Sequence, residues 1–159
     1  MSRTPTATEQ PKRMRSSRAS RCGLALAVGL LVAAAAPADE LPRTPAPKGA
    51  QLYIIGPEDG AVVASPIAVR FGLTGMGVAP AGVAHASTGH HHLLVDAELP
   101  DVSQPIPSDE HHRHFGGGQT EVLLELSPGK HTLQLILADH LHIPHKPPVV
   151  SERITITVK

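Results

Sequence analysis

An all-β fold, a small immunoglobulin-like β-sandwich with long Pro/Gly-rich loops preceded by a signal peptide, is what this sequence predicts. Three observations lead there. Beyond residue 50 the apolar residues recur with period 2, as in Ile67, Val69, Phe71 and Leu73, and no segment keeps the 3.6-residue period of a helix. Turn clusters such as Gly56-Pro57-Glu58-Asp59-Gly60 and Ser127-Pro128-Gly129-Lys130 separate these short runs. The apolar residues are Val, Ile and Leu with few aromatics, and about 110 residues can bury such a core without disulfides.

The N-terminal 38 residues read as a secretory signal, with six bases and one acid ahead of an apolar run from Gly23 to Ala36. That run has signal-peptide length and is short for a membrane span. Ala36-Pro37-Ala38 is a cleavage signal that would leave Asp39 as the new terminus. Cys22, the single cysteine, would depart with the signal, and both disulfides and thiolate metal sites would go with it. The remaining 39–159 carry 8 bases and 13 acids, a net of −5. No basic face is evident, and the aromatics are only Tyr53, Phe71 and Phe115, so nucleic acid is not an expected partner. The expected location is periplasmic or secreted, with no membrane span after cleavage. Residues 39–50, with three prolines, read as a linker, and 51–159 as the His-rich domain.

Within that domain, Gln51–Ile55 and Ile67–Leu73 are expected strands, and Thr74–Gly89 a loop rich in Gly, Ala and Pro. His91–Asp96 follows as a strand with histidines at its start. Ala97–Asp109, with Pro100, Pro105 and Pro107, is a second loop. Gln119–Leu126 and His131–Ala138 are strands around a turn. Ile143–Pro148 is a third loop, and Val149–Val158 closes the domain.

The 11 histidines carry the functional signal. His90, His91 and His92 open one strand; His111, His112 and His114 precede three glycines; His140, His142 and His145 follow Asp139. In extended chain, residues two apart share a face, so His90/His92, His112/His114 and His140/His142 form three paired ligand sets, with His91 facing the other way. Imidazole without thiolate suits copper(II), zinc or nickel. Asp96, Asp109, Glu110, Glu121 and Asp139 are candidate ligands or ring-orienting acceptors. Met76 alone is a weak soft-ligand candidate. The pattern is no standard zinc motif, lacking His-Glu-x-x-His and cysteine pairs. His85 and His131 read as surface or cross-strand residues.

Five ordered blocks carry a family resemblance. They are Gly75–Gly82; Thr88–Asp96; His112–Glu121, including His-Arg-His-Phe-Gly-Gly-Gly-Gln-Thr-Glu; Pro128–Leu135; and His142-Ile-Pro-His145. Over about residues 52–158 the chain resembles the exported bacterial domain of unknown function numbered 4399. The resemblance implies export and a compact β domain, and no activity. Its blocks take in His90, His91, His92, His112, His114, His131, His142 and His145, with His140 two residues ahead of the last block, and leave His85 and His111 peripheral.

The expected function is binding of a transition metal, copper or zinc, as carrier, buffer or sensor, without substrate turnover. The expected ligands are His90, His92, His112, His114, His140, His142 and His145, with affinity falling below about pH 6 as imidazole protonates. Two other classes stay open: a metal-dependent or acid–base enzyme using the same histidines, and an interaction module of the cell envelope whose histidines contact another protein.

Overall fold

The computed structural model describes residues 41–159; the expected signal peptide lies outside the described residues. The fold is all-β, with two sheets in a sandwich-like arrangement. Among the described residues nine strands occur, in the order β1 (Gln51–Gly56), β2 (Val62–Val63), β3 (Ile67–Thr74), β4 (Gly77–Val78), β5 (Thr88–Val95), β6 (His112–His114), β7 (Glu121–Leu124), β8 (Gly129–Ala138) and β9 (Ile154–Val158). One sheet runs β1-β3-β7; the other runs β2-β9-β8-β5-β4, with β6 also pairing β5. No helix among the described residues is long and apolar enough to cross a membrane.

Alternation along the central strands builds two layers. Leu93 and Val95 of β5 and Leu133, Leu135 and Leu137 of β8 point inward, where they meet Val69 and Phe71 of β3. Each of those β8 leucines is wholly buried, and burying a side chain of this size is worth about 1.5–3 kcal/mol. The other face of the same strands is covered as well. Leu94, Ile136 and Ala138 pack there under Ile106 and Val102 of the 97–109 loop. The long loop therefore acts as a third layer over the outer face, and the histidines sit beside it.

The expected spacer at 39–50 makes specific contacts where it is described. Arg43 donates from Nε to the Pro144 carbonyl and from Nη2 to the His145 carbonyl. Pro45 and Lys146 form a parallel bridge, in which the Ala46 N–H donates to the Lys146 carbonyl and the Lys146 N–H to the Thr44 carbonyl. The short strand β4 lies in the segment that reads as the 74–89 loop, and β2 and the three-residue β6 lie where no element is expected. Each is short because its neighbours are Pro- or Gly-rich, so few ladder bonds form.

Candidate metal centre

Antiparallel pairing of β5 with β6 and β8 sets the site. His92 lies opposite His114 of β6 and Ile136 of β8, and His90 lies opposite Ala138. His90 and His92 are two residues apart and share the outer face with Leu94. His91 turns inward and lays its ring 5.2 Å from that of Phe71. The expected split of the triplet is what the strand produces.

The fourth ring comes from the turn after β8. Asp139, 1% exposed, accepts the Leu141 and Ile143 N–H groups on Oδ1 and the Thr44 hydroxyl on Oδ2. Its own carbonyl accepts the His142 N–H. This Asx-type turn holds His142 at φ 66°, a left-handed conformation costly for a non-glycine residue. The His142 carbonyl accepts the Ile106 N–H, which ties the covering loop to the same point.

Four imidazoles result. His90 lies 5.0 Å from His92, 5.1 Å from His114 and 5.0 Å from His142 between ring centroids. His92 lies 4.9 Å from His114 and 6.2 Å from His142, and His114 and His142 are 4.8 Å apart. One ligand atom from each of His90, His114 and His142 falls within 4.8 Å of the others. His90 Nε2 and His92 Nε2 approach to 3.1 Å, one ring donating and the other accepting. Tetrahedral ligands on a zinc ion sit about 3.3 Å apart, given zinc–nitrogen distances of about 2.0–2.1 Å. The His90–His92 pair already has that spacing, and the ligand atoms of His90, His114 and His142 would close in by about 1.5 Å.

Gly116 shapes the exposed side. A Cβ there would come within 2.4 Å of His114 Cε1, so only glycine lets this ring lie against the chain that follows it. His90 and His92 are wholly buried, whereas His142 is half-buried and His114 exposed, which gives the cluster one side open to solvent.

The electrostatics favour neutral rings. Burial, and then the neighbouring His142 and His114, lower His90 to about 4, with Asp139 opposing. Burial and the other three rings take His92 to about 2. His114 is lowered as well, by burial and by His142. Four crowded imidazoles repel each other when charged and present free lone pairs when neutral. Nδ1 of His90 and Nδ1 of His92 are buried without a hydrogen-bond partner, although buried polar atoms are normally paired. The arrangement is compatible with a metal ion.

The other expected ligands lie elsewhere. His112 shares its face with His114 but lies opposite Leu94, one pleat further on, and its Nδ1 bonds Asp109 at 2.9 Å. His140 does not pair with His142, because the turn at Asp139 breaks the extended geometry on which that pairing depends; it lines a separate cavity with Thr44 and His85. His145 is buried, with Nε2 3.1 Å from the Thr88 carbonyl, and Gly89 leaves the room for its ring. It clamps the end of the β5–β8 ladder. Met76 packs against the inter-sheet core. Asp96 serves His131, bonding its Nδ1 at 2.7 Å. Reading the sequence missed β6 as a strand and the turn that singles out His142. An aspartate opening a short Leu/Ile/Pro-punctuated segment is the signal that was available for the turn.

A family model described as "Domain of unknown function (DUF4399)" matches residues 69–159, more than half of the chain and all four rings of the cluster. No curated protein and no solved structure matches the chain.

Proposed function

The chain belongs to the DUF4399 family, a domain of unknown function, so its activity has to be read from its own site, and we propose that it binds a transition metal ion through His90, His92, His114 and His142. The reading is of an exported carrier, buffer or sensor of copper(II) or zinc. The observation that carries it is the packing of four histidine rings within 6.2 Å of one another, two of them wholly buried and each of those two with an unpartnered Nδ1. Such a cluster is costly for folding alone, and a cation held at the converging Nε2 atoms of His90 and His92 would take up lone pairs that now face one another. An all-nitrogen donor set matches copper(II), zinc or nickel better than calcium or magnesium. Four imidazoles fill a tetrahedral shell, which favours holding an ion over polarising a substrate at a vacant position.

His114 and His142 form the open side and are the ligands best placed to release the ion first. Ligation requires neutral imidazole, and the lowered pKa values of His90 and His92 keep these two rings neutral further into acid than the ordinary imidazole range near pH 6.5.

Calorimetric titration of the purified protein with zinc and copper(II) tests the proposal. One ion per chain, held tighter than about 10 μM or roughly −7 kcal/mol, is expected, with the site lost in His90→Ala and His142→Ala. Absence of saturable binding would sink it. Export is tested by N-terminal sequencing of the envelope fraction: a chain beginning at Asp39 supports it, and an intact Met1 terminus in the cytosol contradicts it.

A further inference from the structure

The chain ahead of β1 is tied to the turn that carries one of the four rings. Thr44 Oγ1 donates to Asp139 Oδ2 at 2.7 Å. The Lys146 N–H donates to the Thr44 carbonyl and the Ala46 N–H to the Lys146 carbonyl, each at 3.0 Å. Arg43 donates from the same segment to the Pro144 and His145 carbonyls. Residues 43–46 therefore form a strap laid along 139–146.

What the strap holds is specific. Asp139 is buried, and different segments engage its two carboxylate oxygens. Oδ1 accepts the Leu141 and Ile143 N–H groups of its own turn, whereas the partner of Oδ2 is the Thr44 hydroxyl. Loss of that hydroxyl would leave a buried charged oxygen without a donor and free the carboxylate to rotate. His142 stands at φ 66° in the same turn, and a left-handed non-glycine residue keeps that conformation only while its surroundings fix it. A rotating carboxylate would let His142 relax and carry its ring away from His90 and His114, now 5.0 and 4.8 Å off between centroids.

The strap itself is lightly attached. It pairs through one parallel bridge, Pro45 to Lys146, and Pro42, Pro45 and Pro47 offer no N–H to extend the pairing. Its contribution to the inter-sheet core is Ala46, partly buried. An element with few buried apolar contacts opens well below the free energy of global unfolding, so the strap can detach while the sandwich stays folded.

We propose that strap 43–46 regulates the metal site, with Thr44 as a positioning residue for His142. Docked, the strap holds the turn and with it the ion; displaced, it lets the open side give the ion up. The inference rests on the four-histidine reading and adds a control on its affinity. Coupling of this kind is reciprocal, so an ion that fixes His142 also holds the strap down.

The test compares the wild-type full chain with Thr44→Val, which removes the hydroxyl, and Thr44→Ser, which keeps it. Calorimetry gives zinc affinity, and amide hydrogen exchange is followed with and without zinc. Thr44→Val should bind zinc about 10-fold more weakly, the low end of what a ligand-orienting group contributes. It should also exchange faster at Leu141 and Ile143 when metal-free, while still melting in one cooperative transition. Thr44→Ser should recover most of the affinity. In the wild type, zinc should slow exchange at the Ala46 and Lys146 amides, neither of which belongs to a ligand; a hydroxyl that served the fold alone would leave them indifferent to zinc. Equal zinc affinity in wild type and Thr44→Val, or zinc binding that leaves the Ala46 and Lys146 amides unchanged, overturns the proposal. A wild type that binds no zinc removes the metal reading and the strap's role together, an outcome distinct from the other two.

Discussion

His131 and His92 are both strand histidines in the same sheet, and they differ in every respect that matters. His131 uses both ring nitrogens, Nδ1 on the Asp96 carboxylate at 2.7 Å and Nε2 on the Ser127 carbonyl at 2.9 Å. The Asp96 hydrogen bond raises its pKa despite some burial. His92 is wholly buried, shares Nε2 with another histidine, has no partner at Nδ1 and is lowered to about 2. A histidine built for structure has its acceptors supplied by the fold. The four-ring cluster lacks them, and that difference separates a structural ring from one ready to bind a ligand.

The strongest way to break the contrast is His92→Leu. Replacing a poorly satisfied buried polar ring by an apolar one should leave the metal-free fold as stable or raise it by about 1 kcal/mol. Metal affinity should fall more than 100-fold, beyond the 10–100-fold usual for groups that only orient ligands. Paired thermal melts and calorimetry measure both.

Acid should separate the two kinds of ring next. His90, at about 4 when folded against 6.5 unfolded, favours the folded state fully above pH 6.5 and loses that contribution as pH falls toward 4. The loss is on the order of 3 kcal/mol for a shift of that size. His131 has the opposite sign: its raised pKa contributes below 6.5 and is lost as pH rises through the folded value. Asp96 is pushed up by burial but more than compensated by His131 and the Thr132 N–H, so its contribution is lost only as pH falls through its lowered pKa. Denaturant titrations of the metal-free protein from pH 8 to 4 should therefore show a decline dominated by the cluster, and added zinc should flatten it.

Asp139→Ala should cost about 2 kcal/mol in stability by orphaning the Leu141 and Ile143 N–H groups. It should also weaken metal binding 10–100-fold by freeing His142. Asp96→Asn should cost no more than about 1 kcal/mol, since this carboxylate is part-exposed, and it should leave metal affinity unchanged. Equal effects of the two aspartate variants on affinity would erase the distinction.

Much of this was legible in the sequence. The alternation of Ile67–Leu73 and of His131–Ala138 placed β3 and β8, and the same period placed His91 opposite His90 and His92. The outer layer was harder, because Ile106 covers Leu94 and Ile136 from a loop with no period of its own. The His-x-His rule held for facing and failed for convergence. His112 shares a face with His114, but one pleat of about 6.8 Å carries it out of reach. His140 and His142 diverge because Asp139 closes a turn in place of an extended run. Side-chain direction follows from local period, whereas a common centre depends on register and on a turn held by contacts with Thr44 and Ile106, which are distant in sequence.

The most direct test is a crystal of the zinc-loaded protein measured at the zinc edge. The expected result is an anomalous peak about 2.0–2.1 Å from ring nitrogens of His90, His92, His114 and His142. A peak at His112–Asp109 or His140 with an empty four-ring cluster, or no peak at saturating zinc, would contradict the assignment.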